Sequence, residues 1–379
     1  MLALLTSPYA LITNGAVNPA GIQTLKNICG TGTFVGLTSN QAKPGWFDQA
    51  FAGSGVQFIK TDTRQNGGVV RDLAQQLNIA TFDVLVLAVK SEDMQMAKNG
   101  RALLIAAGWI TDRVVRNLGI SIASGAELYE LLKIAGGWDG HWWFEGRGQN
   151  YNANALADLS GYGNNITQTQ QAFASKLTQT VKNGGTHITA LLLATARSFL
   201  IDGIYETQQL CWGVYPSSKS QNNDTEVLSD FTHRLRTTVS QAHFCKRNEP
   251  LFIRHTHSDK RSANRNADRT DPKNQVETLH LNPEYKGKLR GRNVIVVDDC
   301  TTHGLSFGVA AAFLRAAGAA SVKGVALGKF GNTLKYFDIE ITADPFSPVN
   351  CNGYVMHSHS QFLGTNDLRA QKTLISLVM

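Results

Sequence analysis

The stretch NVIVVDDCTTHGLSF, residues 293–307, decides the reading of the second half of this chain. It reads as a buried strand, an acid pair, a hydroxyl-rich loop and the start of a helix. Val294 to Val297 form a short unbroken apolar run, as expected of a parallel strand covered on both faces. The loop at the carboxyl end of such a strand is where open α/β sheets bind ligands. Thr301, Thr302 and Ser306 offer hydroxyls there, and Gly304 and Gly308 let the backbone turn tightly and bring N–H groups close to an anion. The next helix directs its positive end at the same place. Asp298 and Asp299 supply paired acceptors, suited to ribose hydroxyls or to a divalent cation held beside them. The plainer alternative is a Rossmann-like strand whose acids only cap the helix.

Working outward, residues 305–319 read as a helix with a glycine stop, and VKGVALGKF (322–330) as the next strand. Upstream, QAFASKLTQTVKN, ITALLLATARSF (188–199) and VLSDFTHRLRTTVSQAHF read as helices. LCWGVYP (210–216) reads as a strand that runs into the polar turn SSKSQNNDT. The tail from 331 mixes short strands and loops. Residues 1–136 alternate short apolar runs with helical patterns. Strands are expected within ALLTSPYALITNG, TFVGLTSN, VQFIKTD and FDVLVLAVK, a helix over VVRDLAQQLN, and mostly helix over 94–109. The fold class is therefore α/β: two three-layer domains with mainly parallel sheets. Their expected extents are 1–136 and 170–379. Between them, 137–169 reads as a Gly/Asn/Trp-rich connector. Its aromatics Trp138, Trp142, Trp143 and Phe144 are expected to pack between the halves or at a dimer seam, with a base-stacking platform as the sharper alternative.

Composition sets the outer limits. The chain has 379 residues, 42% hydrophobic and 17% charged, enough for two cores. The net charge of +7 suits phosphorylated ligands or nucleic acid, and its basic residues crowd into 234–292. The five cysteines contain no CxxC pair, which argues against zinc-ribbon or thioredoxin chemistry and for a reducing, cytoplasmic setting. The opening MLALLTSPYALITNG lacks a basic leader and reads as an interior strand, and no apolar run is long enough to span a membrane. His255/His257 and His357/His359 form two HxH pairs, more simply read as polar loop histidines than as metal ligands.

The 293–307 stretch resembles the phosphoribosyl-pyrophosphate (PRPP) motif of type I phosphoribosyltransferases, most like the competence-associated (ComF-like) branch. Asp298 and Asp299 fall on the family's acid pair, Cys300 and Thr301 on its variable pair. Thr302 falls on its first threonine, Gly304 on its glycine and Ser306 on its last hydroxyl. His303 stands where the family has a second threonine, a departure at the 5′-phosphate site. The resemblance covers about residues 190–330. It implies that Asp298 and Asp299 hold the ribose, and Mg²⁺ with it through PRPP. It also implies that Thr301, Thr302, His303, Gly304 and Ser306 hold the 5′-phosphate. Ser217, Ser218 and Lys219 would hold pyrophosphate, and a basic loop carrying Lys260, Arg261 and Arg265 would close over the leaving group.

The first half is similar to the haloacid-dehalogenase-like hydrolases. Thr38 and Ser39 match the hydroxyl motif, Lys90 lies near the family's lysine, Glu92 and Asp93 near the acids that hold Mg²⁺, and Asn99 and Gly100 in the helix after them. The family's nucleophilic aspartate is lacking, since LITNGAV offers Thr13 and Asn14 instead. The expectation is a degenerate, non-hydrolytic domain. For the whole chain the leading expectation is a PRPP-dependent transferase acting on a nucleobase or small nucleophile with Mg²⁺, with a homodimer usual in that family. The alternatives are a non-catalytic PRPP or nucleotide sensor, and a nucleic-acid-binding protein using the basic segment.

Overall fold

The computed structural model describes residues 1–138, 140–160, 166–185, 187–242, 245–258, 268–331 and 333–378. The chain divides into two compact units, each α/β. The first comprises Met1–Asp139, Thr189–Tyr205 and Arg234–Gln241; the second comprises Gly140–Ile188, Glu206–His233 and Ala242–Met379. The chain therefore passes between the units several times. No helix among the described residues is long and apolar enough to cross a membrane.

The first unit is built on strands β1 (Ala3–Thr6), β4 (Phe34–Ser39), β5 (Gln57–Lys60), β6 (Val84–Ala88), β7 (Leu103–Ala107) and β8 (Ile120–Ile122), with a small hairpin of β2 (Ile12–Thr13) and β3 (Ala16–Val17). The sheet order β5-β4-β1-β6-β7-β8 is parallel throughout, so sequence order reverses between β1 and β6. Residues Val84 to Ala88 and Leu103 to Ala107 are buried along their whole length, which is why they carry unbroken apolar runs. One expectation is corrected here. Within 94–109 the helix Ser91–Gly100 stops at Arg101, which adopts a left-handed conformation (φ 63°), and Leu103–Ala107 is β7. A short apolar run does not by itself distinguish a buried strand from a buried helix, and here the tight stop gives the strand.

A buried polar cluster ties the carboxyl end of β1 to the helix Ser91–Gly100. Asp93 accepts from the Ser7 hydroxyl at 3.0 Å and from the N–H groups of Val89 and Lys90 at 3.1 Å. The Arg64 guanidinium pairs with its other oxygen at 3.1 Å, as a close ion pair without hydrogen-bond alignment. Burial raises the Asp93 carboxyl above the ordinary range, against the opposing pull of Arg64.

The second unit is built on β9 (Phe144–Arg147), β10 (Asn152–Asp158), β11 (Leu210–Val214), β14 (Asn293–Thr301), β15 (Ser321–Lys329) and β18 (Gly364–Asn366), in the order β11-β14-β15-β10-β9-β18. The four strands β11, β14, β15 and β10 run parallel, β9 is antiparallel to β10, and β18 is antiparallel to β9. Two further hairpins pair β12 (Phe252–Arg254) with β13 (Leu279–Leu281) and β16 (Lys335–Ile341) with β17 (Tyr354–Gln361). Strands β9 and β10 fall inside 137–169, the stretch whose composition suggests a connector. Its small residues Ala153, Ala155 and Ala157 are instead buried within the sheet. The aromatic cluster is likewise interior: Trp138 is buried in the first unit, and Trp142, Trp143 and Phe144 in the second. That removes the exposed stacking platform raised from sequence. Cys211 and Cys245, distant in sequence, bring their sulfurs within 2.6 Å in the core.

Arg64→Met leaves the Asp93 carboxylate buried without its cation. It is expected to lower stability in urea unfolding by about 3 kcal/mol at neutral pH. The loss should shrink in acid as Asp93 protonates, and adding Asp93→Asn should recover most of it.

Candidate functional site

Strands β11 and β14 are neighbours in register, with Val214 opposite Val297. Their carboxyl ends therefore open side by side. The loop after β11 and the loop after β14 line one cavity of about 820 Å³, together with Lys182, Arg254, Arg269 and Gln275. The structure thus gathers Ser217, Ser218, Lys219, Asp298, Asp299, Thr301, Thr302, His303, Gly304 and Ser306, singled out separately from sequence, around a single space. Lys260, Arg261 and Arg265 lie outside the described residues.

The acid pair lies near the end of β14, with Asp298 buried and Asp299 half-buried. Asp298 is 8% exposed. One of its oxygens accepts from the Asp299 N–H at 2.9 Å and the other from the Ser306 hydroxyl at 2.7 Å. Burial, reinforced by the charge of Asp299, holds the Asp298 carboxyl well above the usual carboxylate range, although Ser306 pulls the other way. The same burial and the two acids push the Cys300 thiol upward. Downstream, the Thr301 hydroxyl accepts from the Gly304 N–H at 3.0 Å and closes the turn. Gly304 is left-handed (φ 83°), and a Cβ there would meet Leu334 at 2.9 Å, so the turn requires glycine. The helix Leu305–Ala316 starts immediately after it.

The Ser306 hydroxyl gives its proton to Asp298, whereas the Thr301 hydroxyl accepts from the Gly304 N–H and keeps its own proton to donate. Among the described residues, the N–H groups of Thr302, Leu305 and Ser306 donate to no protein acceptor, and neither do those of Ser217, Ser218 and Lys219. Both sets belong to residues lining the cavity. The cavity is thus lined by two loops with unbonded N–H groups and by a pair of carboxyl groups.

Sequence reading missed Arg254, which is 3% exposed at the end of β12. Its guanidinium donates to the Ser217 and Pro216 carbonyls at 2.8 and 3.1 Å, to Thr278 Oγ1 at 2.7 Å and to Gln275 Oε1 at 3.2 Å. The available signal was the one that revealed the acid pair, a charged residue closing an apolar run, here Leu251-Phe252-Ile253-Arg254.

The other sequence candidates scatter. Thr13 and Asn14 sit on the exposed β2–β3 hairpin, because β1 ends at Thr6. The residue just past β1 is Ser7, so the comparison with a nucleophile position moves there, and that position still holds no carboxylate. Thr38 and Ser39 are buried at the end of β4, and the Lys90 ammonium lies over the Tyr9 ring at 3.1 Å. Of the histidines, His255 stacks on His280 and His357 pairs with Glu340 at 3.0 Å. Among the described residues no group of three or more His, Cys, Asp or Glu is placed to hold a metal. The basic segment is dispersed: Arg247 pairs with Asp230, Lys286 pairs with Asp344, and Arg254 is buried.

Comparison with known proteins returns no match: no family model, no curated protein and no solved structure is significantly similar to this chain.

The raised Asp298 carboxyl has a consequence for stability. A group that holds its proton more tightly when folded stabilises the fold in acid, and that contribution is lost as pH rises towards the folded value. Asp298→Asn is therefore expected to raise the thermal midpoint at neutral pH, with the gap over the wild type closing as pH falls towards 3.8. Thermal melts across that range check the sign.

Proposed function

We propose that the second unit binds PRPP with Mg²⁺ and transfers its phosphoribosyl group to a nucleobase or small nucleophile, releasing pyrophosphate. The observation that carries this reading is the pairing of two N–H-lined loops with an acid pair on one cavity. A ligand that is anionic at both ends and carries vicinal hydroxyls between them suits that set of groups. The resemblance of residues 293–307 to the type I phosphoribosyltransferase motif supports the same assignment.

On this reading the N–H groups of Thr302, Leu305 and Ser306 hold the 5′-phosphate, and Asp298 and Asp299 accept from the ribose hydroxyls. The loop from Ser217 to Lys219 takes the pyrophosphate. The reaction breaks the bond from ribose C1 to the pyrophosphate oxygen and forms one from C1 to the acceptor, which gives up its proton. The protein contributes position and charge: two anchored ends fix C1, and Lys182, Lys219 and Arg254 offset negative charge around the cavity. Mg²⁺ would enter with the ligand, and Asp298 and Asp299 are the residues that would hold it. When bound it would offset charge on the leaving pyrophosphate.

For the first unit we propose a degenerate haloacid-dehalogenase-like domain without hydrolase activity. Two features support this: Ser7 comes directly after β1 where a carboxylate nucleophile would be needed, and Arg64 already neutralises Asp93.

Calorimetry with PRPP and Mg²⁺ tests the main reading. The wild type is expected to bind, and Asp298→Asn/Asp299→Asn to bind at least about tenfold more weakly. No wild-type binding at roughly millimolar PRPP contradicts it. Binding without pyrophosphate release across a panel of acceptors assigns the site to sensing rather than transfer.

A further inference from the structure

The loop after β11 has its carbonyl groups drawn to one side. Pro216 O and Ser217 O both accept from Arg254, and Ser218 O accepts from the Ser258 N–H at 3.0 Å. The loop is further bracketed onto β12 by Asn222, which donates to the Arg254 carbonyl at 3.0 Å and accepts from the Arg254 N–H at 2.9 Å. Each carbonyl shares a planar peptide with the next residue's N–H, and in a trans peptide the two point in opposite directions. The described chain has no cis peptide bond. Fixing the carbonyls of Pro216, Ser217 and Ser218 therefore turns the N–H groups of Ser217, Ser218 and Lys219 the other way, all three on residues that line the cavity.

Arg254 is unusual for a buried cation. Among the described residues no carboxylate pairs with it, and its partners are neutral oxygens. Its planar fork reaches two successive carbonyls at once, which a lysine ammonium cannot do in the same geometry. Its charge, paired with no carboxylate among the described residues, also lies at the cavity wall, where it favours an anion.

We propose that Arg254 is a positioning residue that shapes the Ser217–Lys219 loop into a backbone receptor for pyrophosphate. The inference rests on the reading of the cavity given above and assigns recognition at this end to main-chain N–H groups held in place by a buried guanidinium. The Ser217 hydroxyl already donates to Glu226 at 3.1 Å, in keeping with recognition by the backbone.

The test is calorimetry on the full chain with two probes, inorganic pyrophosphate with Mg²⁺ and ribose 5-phosphate, comparing the wild type with Arg254→Lys. Lysine keeps the charge and loses the fork. The variant is expected to bind pyrophosphate about tenfold more weakly. Its affinity for ribose 5-phosphate should stay within about twofold of the wild type, because that probe uses the other loop. Unchanged pyrophosphate binding overturns the proposal, and so does an equal loss for both probes, which is what general structural damage produces. If Arg254→Lys does not fold by circular dichroism, Asn222→Gly is held to the same criteria; it frees the loop at a left-handed position (φ 55°) that glycine accepts. A wild type that binds no pyrophosphate also overturns the inference. Ribose 5-phosphate then separates the two claims: if it still binds, the reading of the acid-pair site stands, and if it does not, that reading falls as well.

Discussion

The parallel pairing of β11 with β14 is the constraint on which the cavity depends. Two strands joined in register from Leu210–Asn293 to Val214–Val297 end at the same edge of the sheet, so the loops that leave them emerge side by side. β14 carries the two acids near its end and runs into a turn closed by Thr301 and Gly304, then a helix whose first N–H groups have no intrahelical partner. After β11 comes a loop held from behind by Arg254 and Asn222. Slipping either strand by one residue would turn its side chains to the opposite face and break the alignment of both loops. The buried apolar run of β14 prevents such a slip, because a shift would expose part of a strand that is covered on both sides.

Much of this arrangement was legible in the sequence, because the local signals agreed. An unbroken apolar run, two carboxylates, threonines, a glycine and a helical pattern come in an order that few other structures require. The polar turn at 216–219 was readable for the same reason, as a strand ending in small polar residues. The acid-pair loop and the Ser217–Lys219 loop meet in the cavity even though about 80 residues separate them.

The features hidden from sequence depend on contacts between residues far apart in the chain. Arg254 looked like one of many basic residues in 234–292, and its burial depends on oxygens from Pro216, Ser217, Gln275 and Thr278, none adjacent to it in the chain. The hydroxyls of Ser306 and Thr301 also make bonds that the sequence does not show, Ser306 donating to Asp298 and Thr301 accepting from the Gly304 N–H. Strand β10 was hidden by composition, since alanines and asparagines look like a linker until a sheet covers them. Ser7 was overlooked for Thr13 and Asn14 because the end of β1 had to be located to within a few residues, and strand boundaries are the part of a sequence reading least fixed by local preference.

The central claim is that the two loops act as two ends of one ligand site. Amide hydrogen exchange on the full-length protein, with and without Mg²⁺ and PRPP, tests it most directly. Ligand-dependent protection is expected at Ser217–Lys219 and at Thr302–Ser306 together, rising over the same range of PRPP concentration. Protection at only one of the two loops, or at neither while the ligand is bound elsewhere, would contradict it.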